Sequence, residues 1–312
     1  IVVTLFVFSN LMLELSLGIY NGFLPEIAEE SQFNSASSWG YGLGYLGGGI
    51  ALLLAMMLMQ FGEHLGVDTT TALQWCLLLM GAWWGIFTIP ALVVLRDEPT
   101  RRSDKSLSNT IRTSFSDVAI TLRGLRKNLA LDLFLLSFLF YNDGVQTVIS
   151  QASTFALQEL AFSETALMSV ILMIQFVAVL GAFFVGWCAD WCGRKRTLLA
   201  CLFVWGSVLT AALFIKTQTG FWFLAFAIAI VLGGTQSVSR SFMATMIPSG
   251  QNAQYFGLFN LSGKATSFIG TFLFGAIVAA TESSRVAIFG LLPLFAVGAW
   301  LLTKVTETPQ TR

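Results

Sequence analysis

The chain has 312 residues, of which 55% are hydrophobic and only 11% charged, and its mean hydropathy is +0.75. These values lie far outside the range of soluble domains, so they exclude a soluble protein and predict an integral membrane protein. The 17 basic and 17 acidic residues cancel, so no nucleic-acid partner is expected, and orientation depends on where the charges lie.

Nine apolar stretches are long enough to cross a bilayer, because a helix needs roughly 20 apolar residues to span a hydrocarbon core of about 30 Å. None alternates like a barrel strand, so the chain is predicted to be an all-α integral membrane bundle. We number these stretches in chain order as segments 1 to 9. Their predicted bounds are 1–24, 38–62, 71–95, 129–153, 165–188, 197–216, 221–247, 255–280 and 285–304.

Basic residues cluster in three places that share one side of the membrane if every segment spans it. The connections at 63–70, 154–164, 217–220 and 281–284 contain no Lys or Arg. By the positive-inside rule, the basic side is cytoplasmic. The basic residues are Arg96, Arg101, Arg102, Lys105, Arg112, Arg123, Arg126 and Lys127 between segments 3 and 4, Arg194, Lys195 and Arg196 between segments 5 and 6, and Lys304 and Arg312 after segment 9.

Polar residues recur in every third segment, which suggests a three-helix repeat. Three repeats are present, and pseudosymmetric transporters usually contain an even number. The chain begins at Ile1, already inside segment 1, so a fourth repeat upstream and twelve helices in all are expected. The recurring residues are Glu14 in segment 1, Asn142, Asp143 and Gln146 in segment 4, and Gln236 and Arg240 in segment 7.

The long connection between segments 3 and 4 divides the predicted architecture. We expect the last three helices of an N-terminal half at 1–95, a cytoplasmic linker at 96–128 and a six-helix C-terminal half at 129–312. The later part of the linker has apolar residues at helical spacing and basic residues on the other faces, which predicts an amphipathic helix on the inner membrane surface. These apolar residues are Ile111, Phe115, Val118, Leu122 and Leu125.

The stretch "GWCADWCGRKR" at 186–196 is the most specific pattern in the chain. Gly186 and Asp190 lie one helical turn apart, so the glycine permits close helix contact while the carboxylate accepts from a neighbouring helix end or a basic residue. Such a contact can latch an inner gate, and the alternative is a tight turn with positive-inside charges. The stretch resembles the GxxxDxxGRK[RK] pattern of the major facilitator superfamily at Gly186, Asp190, Gly193, Arg194, Lys195 and Arg196.

That superfamily carries the pattern between helices 2 and 3 and again between helices 8 and 9. The resemblance therefore implies that segment 5 corresponds to helix 8 of a twelve-helix facilitator. Segments 1, 4 and 7 then correspond to helices 4, 7 and 10, which line the central cavity of that fold. The segments that carry the polar residues would thus face the translocation path.

Segment 2 contains a second glycine pattern, "SWGYGLGYLGGG" at 38–49. It resembles the GxxxGPxxGG motif in helix 5 of facilitator antiporters, with Tyr45 standing at the proline position. Without the resemblance, the same glycines indicate close helix packing. The matching glycines are Gly40, Gly44, Gly48 and Gly49.

Five stretches together resemble the vacuole effluxer group, the autophagy-related branch of the facilitator superfamily. They are "YNGFLPEIA", "SSWGYGLGYLGGG", "FLFYNDGVQT", "GGTQSVSRS" and "YFGLFNLSGK". The resemblance implies a secondary active transporter that exports small solutes, amino acids in the fungal members, by alternating access. Short external connections look more bacterial than fungal, so the inner membrane is the expected location, or the vacuolar membrane if the chain is fungal.

Three interpretations of Asp143 stay open, since ionisable residues inside a membrane are functional by default. In the first, Asp143 binds a coupling proton. In the second, it binds the ammonium group of an amino acid, and Arg240 or a helix N-terminus binds the carboxylate of the same amino acid. In the third, it forms a fixed ion pair with Arg240 or Lys264. Glu14 is a second proton candidate or a partner of Lys264. Both Arg240 and Lys264 lie near inner helix ends, from which they can snorkel.

Other chemistry is not indicated by the sequence. Gln146 either donates to substrate or bonds across helices, and the same holds for Gln175. The four cysteines and the single histidine suggest no metal site, and no nucleophile with a base or phosphate loop is visible, so neither an enzyme nor a cofactor is expected. The alternative function is a non-transporting sensor or scaffold on a facilitator frame, in which the 96–128 linker carries the activity.

Overall fold

The structure is a computed structural model of the full chain, and it describes residues 2–64, 66–95, 128–248, 250–265 and 267–307. In this described part it contains nine spans that are long and apolar enough to cross a membrane. The prediction of an all-α membrane bundle is therefore confirmed. The predicted amphipathic helix of the linker lies outside the described residues.

Segments 1 to 7 are each one long α-helix, and the described residues of segments 8 and 9 form two helices each. Segment 2 begins at Phe33 rather than 38, and segment 4 continues to Leu160, because hydropathy marks only the apolar part of a helix. The helices of the nine segments are Val2–Gly22, Phe33–His64, Thr69–Val94, Leu129–Leu160, Glu164–Cys192, Arg194–Ala212, Gln218–Ala244, Asn252–Ala265 with Ser267–Thr281, and Ser284–Phe289 with Leu292–Lys304. The connection between segments 1 and 2 contains a short α-helix, Leu24–Ile27, and a 3-10 helix, Glu30–Gln32.

Side-chain caps fix where several helices begin. Asp68 accepts hydrogen bonds from the Thr71 hydroxyl at 2.6 Å and the Thr71 amide at 3.1 Å, and these bonds lower the pKa of the Asp68 carboxyl. Ser163 accepts from the amide of Ala166 at the start of segment 5. Such caps satisfy amides that have no partner inside the helix, so they locate the helix start.

Segments 5 and 7 approach closely where each presents a glycine. A Cβ at Gly181 would lie 2.7 Å from the Cα of Ile230, and a Cβ at Gly233 would collide with the carbonyl oxygen of Ala178. Two helix backbones reach this separation only where the facing side chain is a hydrogen. These glycines therefore hold segments 5 and 7 together as one wall.

The buried core lies mainly within segments 4 to 9. Segments 6 and 9 flank a groove of about 750 Å³ on the outer face of this group, and Phe203 and Phe214 on its rim are largely exposed. Segment 1 packs against segment 8 at one end of the bundle, where Gly22 faces the Cα of Ala253. We call this end, which also carries Arg194, the inner end.

Gly233→Ala should destabilise the protein, because the added methyl group forces segments 5 and 7 apart. An overpacked contact costs about 1–3 kcal/mol, so the thermal unfolding temperature of the purified protein should fall. Gly275→Ala is the matched control in segment 8, since a Cβ at Gly275 would meet no described atom within 4 Å. Equal unfolding temperatures for the two variants would contradict this account of the wall.

Candidate functional site

Asn34 joins segment 2 to three other segments at the inner end. It is fully buried, and its amide group donates to Asp190 Oδ1 at 2.7 Å. Its carbonyl oxygen accepts from Arg194 Nε at 2.9 Å and from the Ser241 hydroxyl at 2.6 Å. One asparagine therefore connects segment 2 with the ends of segments 5 and 7 and the start of segment 6.

The facilitator-like motif lies against the start of segment 2. A Cβ at Gly186 would lie 3.3 Å from the Cβ of Ser38, so the absent side chain allows this contact. Arg194, itself buried, also donates to the carbonyl of Glu30 at 3.0 Å. Gly193 has φ 88°, in the region that favours glycine, and it provides the turn between segments 5 and 6.

The rest of the motif contacts the C-terminal end of segment 9. Lys195 Nζ donates to the carbonyls of Thr303 at 2.9 Å and Val305 at 2.6 Å. The amide of Arg194 donates to Glu307 Oε1 at 3.0 Å, so this carboxylate caps the start of segment 6. Arg196 is exposed. Lys195 and Glu307 thus clamp segment 9 onto segment 6.

Arg240 occupies the interface one turn farther into the membrane. It is only 4% exposed, so it does not snorkel to the surface as its position in the sequence allowed. Its Nε donates to the Ser37 hydroxyl at 2.9 Å, Nη2 to the Ser37 carbonyl at 2.9 Å, and Nη1 to Asn21 Oδ1 at 3.2 Å. All three of these acceptors are neutral, and all belong to segments 1 and 2.

Two aromatic rings and a glycine complete the surroundings of this guanidinium. Its Cζ lies 4.7 Å from the ring centroid of Tyr41 and 5.7 Å from that of Tyr20, within cation–π range. A Cβ at Gly40 would lie 3.4 Å from the Arg240 Cζ and still closer to Nη2. Gly40 therefore provides the space that the guanidinium occupies.

The interface continues toward the membrane centre. The Tyr45 hydroxyl donates to Gln236 Oε1 at 2.6 Å, and a Cβ at Gly48 would lie 2.5 Å from Gln175 Nε2. Gly49 faces the same glutamine, whereas a Cβ at Gly44 would meet no described atom within 4 Å. Of the four predicted packing glycines, Gly40 thus faces a side chain of segment 7, and Gly48 and Gly49 face a side chain of segment 5.

Asn142 and Asp143 face segment 8 and are both buried. The Asn142 amide group donates to the carbonyl of Gly263 at 3.0 Å, and Asp143 Oδ2 accepts from the amide of Gly270 at 2.9 Å. The described partner of Asp143 is therefore backbone rather than Arg240. These two bonds hold segment 4 against segment 8 near the middle of both segments.

The remaining predicted residues are more peripheral. Glu14 and Gln146 are half-buried on segments 1 and 4. The backbone of Lys264 belongs to segment 8, but its side chain lies outside the described part of the chain, as does its predicted pairing with Glu14 or Asp143. Within the described residues, no group of three or more His, Cys, Asp or Glu could hold a metal ion.

Sequence reasoning missed the residues of segment 2 that carry the interface. It considered only the glycines, although a signal was present in the polar residues at three- and four-residue steps, the spacing that places side chains on one helix face. The stripe comprises Asn34, Ser37, Ser38, Tyr41 and Tyr45, which we call the segment 2 stripe.

A family model described as "Vacuole effluxer Atg22 like" matches residues 26–310. The chain belongs to the Atg22-like vacuole effluxer family. The MFS-type transporter YxiO of Bacillus subtilis is 31% identical over 294 residues, which are 94% of this chain and 68% of that protein. Autophagy-related protein 22-1 of Neosartorya fischeri is 30% identical over 267 residues, 77% of this chain and 43% of that protein. The chain thus spans less than half the length of the fungal relative.

The solved structures place this Atg22-like chain in the major facilitator fold. The fucose:proton symporter FucP of E. coli superposes with a TM-score of 0.67 over 94% of this chain and 73% of that protein, at 14% sequence identity. The predicted fold and family are therefore confirmed, and both are those of membrane transporters rather than enzymes. The chain is an integral membrane transporter of the MFS type.

Asn34→Leu should open the inner end, because it leaves Asp190, Arg194 and Ser241 without their shared partner. We expect a cysteine introduced at Ser237, which bonds Ser38 at 3.1 Å, to react about 10-fold faster with a membrane-impermeant maleimide applied to the inner face. Asn10→Leu is the matched control, since the described bond of the Asn10 amide stays within its own helix. Unchanged labelling in Asn34→Leu would rule out its role as a latch.

Proposed function

We propose that the protein is a secondary active transporter that moves amino acids across the membrane by alternating access. The proposal rests on one observation, the burial of Arg240 between two groups of segments, the first three and the last six, with only neutral described partners. In this proposal, the conformation described is the one in which the inner side is closed.

The charge of Arg240 points to a substrate that contains a carboxylate. A guanidinium has five N–H donors, and three of the hydrogen bonds it makes are accounted for by Ser37 and Asn21. Inside a membrane an ionised side chain is costly, and a bidentate carboxylate is its best partner. A substrate carboxylate supplies the negative charge that the described neighbours of Arg240 do not.

Separation of the two groups of segments would make Arg240 available. Every described acceptor of Arg240 belongs to segments 1 and 2, whereas Arg240 itself belongs to segment 7. When segment 2 moves away from segments 5 and 7, Arg240 loses these acceptors and faces the opened inner cavity. An anionic group arriving there, or carried there from the other side, replaces them.

The segment 2 stripe acts as the inner gate in this proposal. Its bonds run from Asn34 at the inner end to Tyr45 near the membrane centre, and each crosses between the first three segments and the last six. The sequence motif at 186–196 contributes Asp190 and Arg194 to the same contact. The two groups of segments then correspond to parts of the two halves of a facilitator, which rock against each other.

Neutral polar residues near Arg240 could contact the parts of an amino acid other than its carboxylate. Tyr45, Gln236 and Gln175 lie outward of Arg240 along the same interface, and they offer hydroxyl and amide groups. Tyr41 presents an aromatic face. Such a mixture of few charges and several neutral groups is typical of small-molecule sites, so we place the zwitterion between Arg240 and the Tyr45–Gln236 pair.

Arg240→Gln should abolish transport, since it removes the only charge that we assign to the substrate carboxylate. The measurement is counterflow of a labelled amino-acid mixture into proteoliposomes, normalised to folded protein. The matched control is Arg285→Gln at the outer end, where Arg285 pairs with Glu159 at 3.6 Å and donates to the carbonyls of Ala212 and Leu213. Because these contacts are separate from those of Arg240, we expect the control's uptake per folded protein to stay within about twofold of wild type.

Two outcomes would contradict the proposal. Uptake that survives in Arg240→Gln would remove Arg240 from the substrate site. A folded wild-type protein that takes up no amino acid would overturn amino-acid transport and favour a non-transporting sensor on the same fold.

A further inference from the structure

Two buried oxygen atoms near the membrane centre have no partner among the described residues. Asp143 and Thr147 lie one turn apart on segment 4, and each is only 1% exposed. Within the described part of the chain, Asp143 Oδ1 and Thr147 Oγ1 form no hydrogen bond, although nearly all buried polar atoms in proteins form at least one. Two such atoms on one helix face indicate a ligand that both would contact.

Gly270 of segment 8 packs against the face of segment 4 that carries Asp143 and Thr147. Its amide bonds Asp143 Oδ2, and a Cβ at Gly270 would lie 3.3 Å from that oxygen and 3.1 Å from the Cβ of Thr147, with the Thr147 hydroxyl closer still. Any side chain at position 270 would collide with Thr147, so only glycine lets the backbone of segment 8 approach both residues. The carboxylate and the hydroxyl therefore lie side by side between segments 4 and 8, against the backbone of Gly270.

The chemistry of the two oxygens favours a cation. No hydrogen bond joins Asp143 Oδ1 and Thr147 Oγ1, so a proton on Asp143 alone gives Thr147 Oγ1 no partner in this arrangement. A water molecule would serve both atoms but would leave the carboxylate charge in place. Carboxylate and hydroxyl oxygens are ligands for hard cations, and a cation both neutralises the charge and contacts both atoms.

We propose that Asp143 and Thr147 bind Na⁺ between segments 4 and 8. Asp143 supplies one oxygen and the charge, Thr147 supplies the second oxygen, and the amide of Gly270 holds the carboxylate in place. The binding claim does not depend on the substrate; only the role of Na⁺ as the coupling ion rests on the proposed function.

The site connects with Arg240 through segment 8. Asn260, on the inner part of segment 8, accepts a hydrogen bond from the Asn21 amide group at 3.2 Å, and Asn21 Oδ1 accepts from Arg240 at 3.2 Å. Asn142 also bonds the carbonyl of Gly263, one turn from Asn260. A cation that tightens segment 4 against segment 8 therefore acts on the helix whose inner part bonds the Asn21–Arg240 pair.

The test is Na⁺ titration of the purified wild-type protein without substrate, read as thermal unfolding temperature, with choline replacing Na⁺ at constant ionic strength. Binding to the folded state raises the unfolding temperature in a saturable way. We expect Thr147→Val to weaken the apparent Na⁺ affinity about 10-fold or more, whereas Thr147→Ser keeps the hydroxyl and stays close to wild type. Asp143→Asn should abolish the effect.

Thr210→Val is the matched control for the loss of a threonine hydroxyl in a membrane helix, because the described bond of the Thr210 hydroxyl goes to the carbonyl of Gly206 in its own segment. Its Na⁺ affinity should equal that of wild type. The proposal is overturned if Na⁺ stabilises wild type no more than choline does, or if Thr147→Val binds Na⁺ as tightly as Thr147→Ser. Since no amino acid is present, these results are independent of the transport assay.

Discussion

Polar groups that lie inside a bilayer must find their partners within the protein, and this requirement organises the contact between segment 2 and segments 5 and 7. Asn34 meets it with three hydrogen bonds that reach three different segments. The contact at the inner end is therefore hydrogen-bonded rather than simple apolar packing. Apolar contacts between helices add little binding free energy in lipid, because lipid tails are equally apolar. Hydrogen bonds such as those of Asn34 therefore determine which helix faces meet.

Arg240 and Asp143, two buried charged residues, differ in the groups that contact them. Arg240 has neutral acceptors and aromatic faces from segments 1 and 2, so its surroundings change whenever those segments move. Asp143 is held by the backbone of segment 8, and segment 4 and segment 8 both belong to the last six segments. The contacts of Arg240 therefore depend on the distance between the two groups of segments, whereas the contact of Asp143 depends on the packing within the last six segments. The asparagine pair Asn21–Asn260 connects the two.

The sequence predicted the architecture well, because hydropathy over about 20 residues is a strong signal. The motif at 186–196 indicated a gate, but it could not identify Asn34, which lies far away in the sequence and has no charge. The position of Arg240 near a helix end allowed it to snorkel to the surface, so the sequence left its burial open. Its burial depends on Gly40 and on Ser37 of another segment, and such non-local contacts leave no pattern within segment 7. Thr147 was missed for a similar reason, since the lack of a described partner is visible only in three dimensions.

The clamp formed by Lys195 and Glu307 affects the groove of about 750 Å³ between segments 6 and 9. It ties the inner ends of these two segments together, and Leu292 packs against Gly206 on the groove wall, 3.2 Å from a Cβ placed there. Both walls are thus joined to each other and not to segment 2, so the proposed rocking of segment 2 would leave the width of the groove unchanged. An acyl chain lying in it would keep its contacts through the whole cycle, and this face of the protein would carry its annular lipid as a permanent part of the moving body.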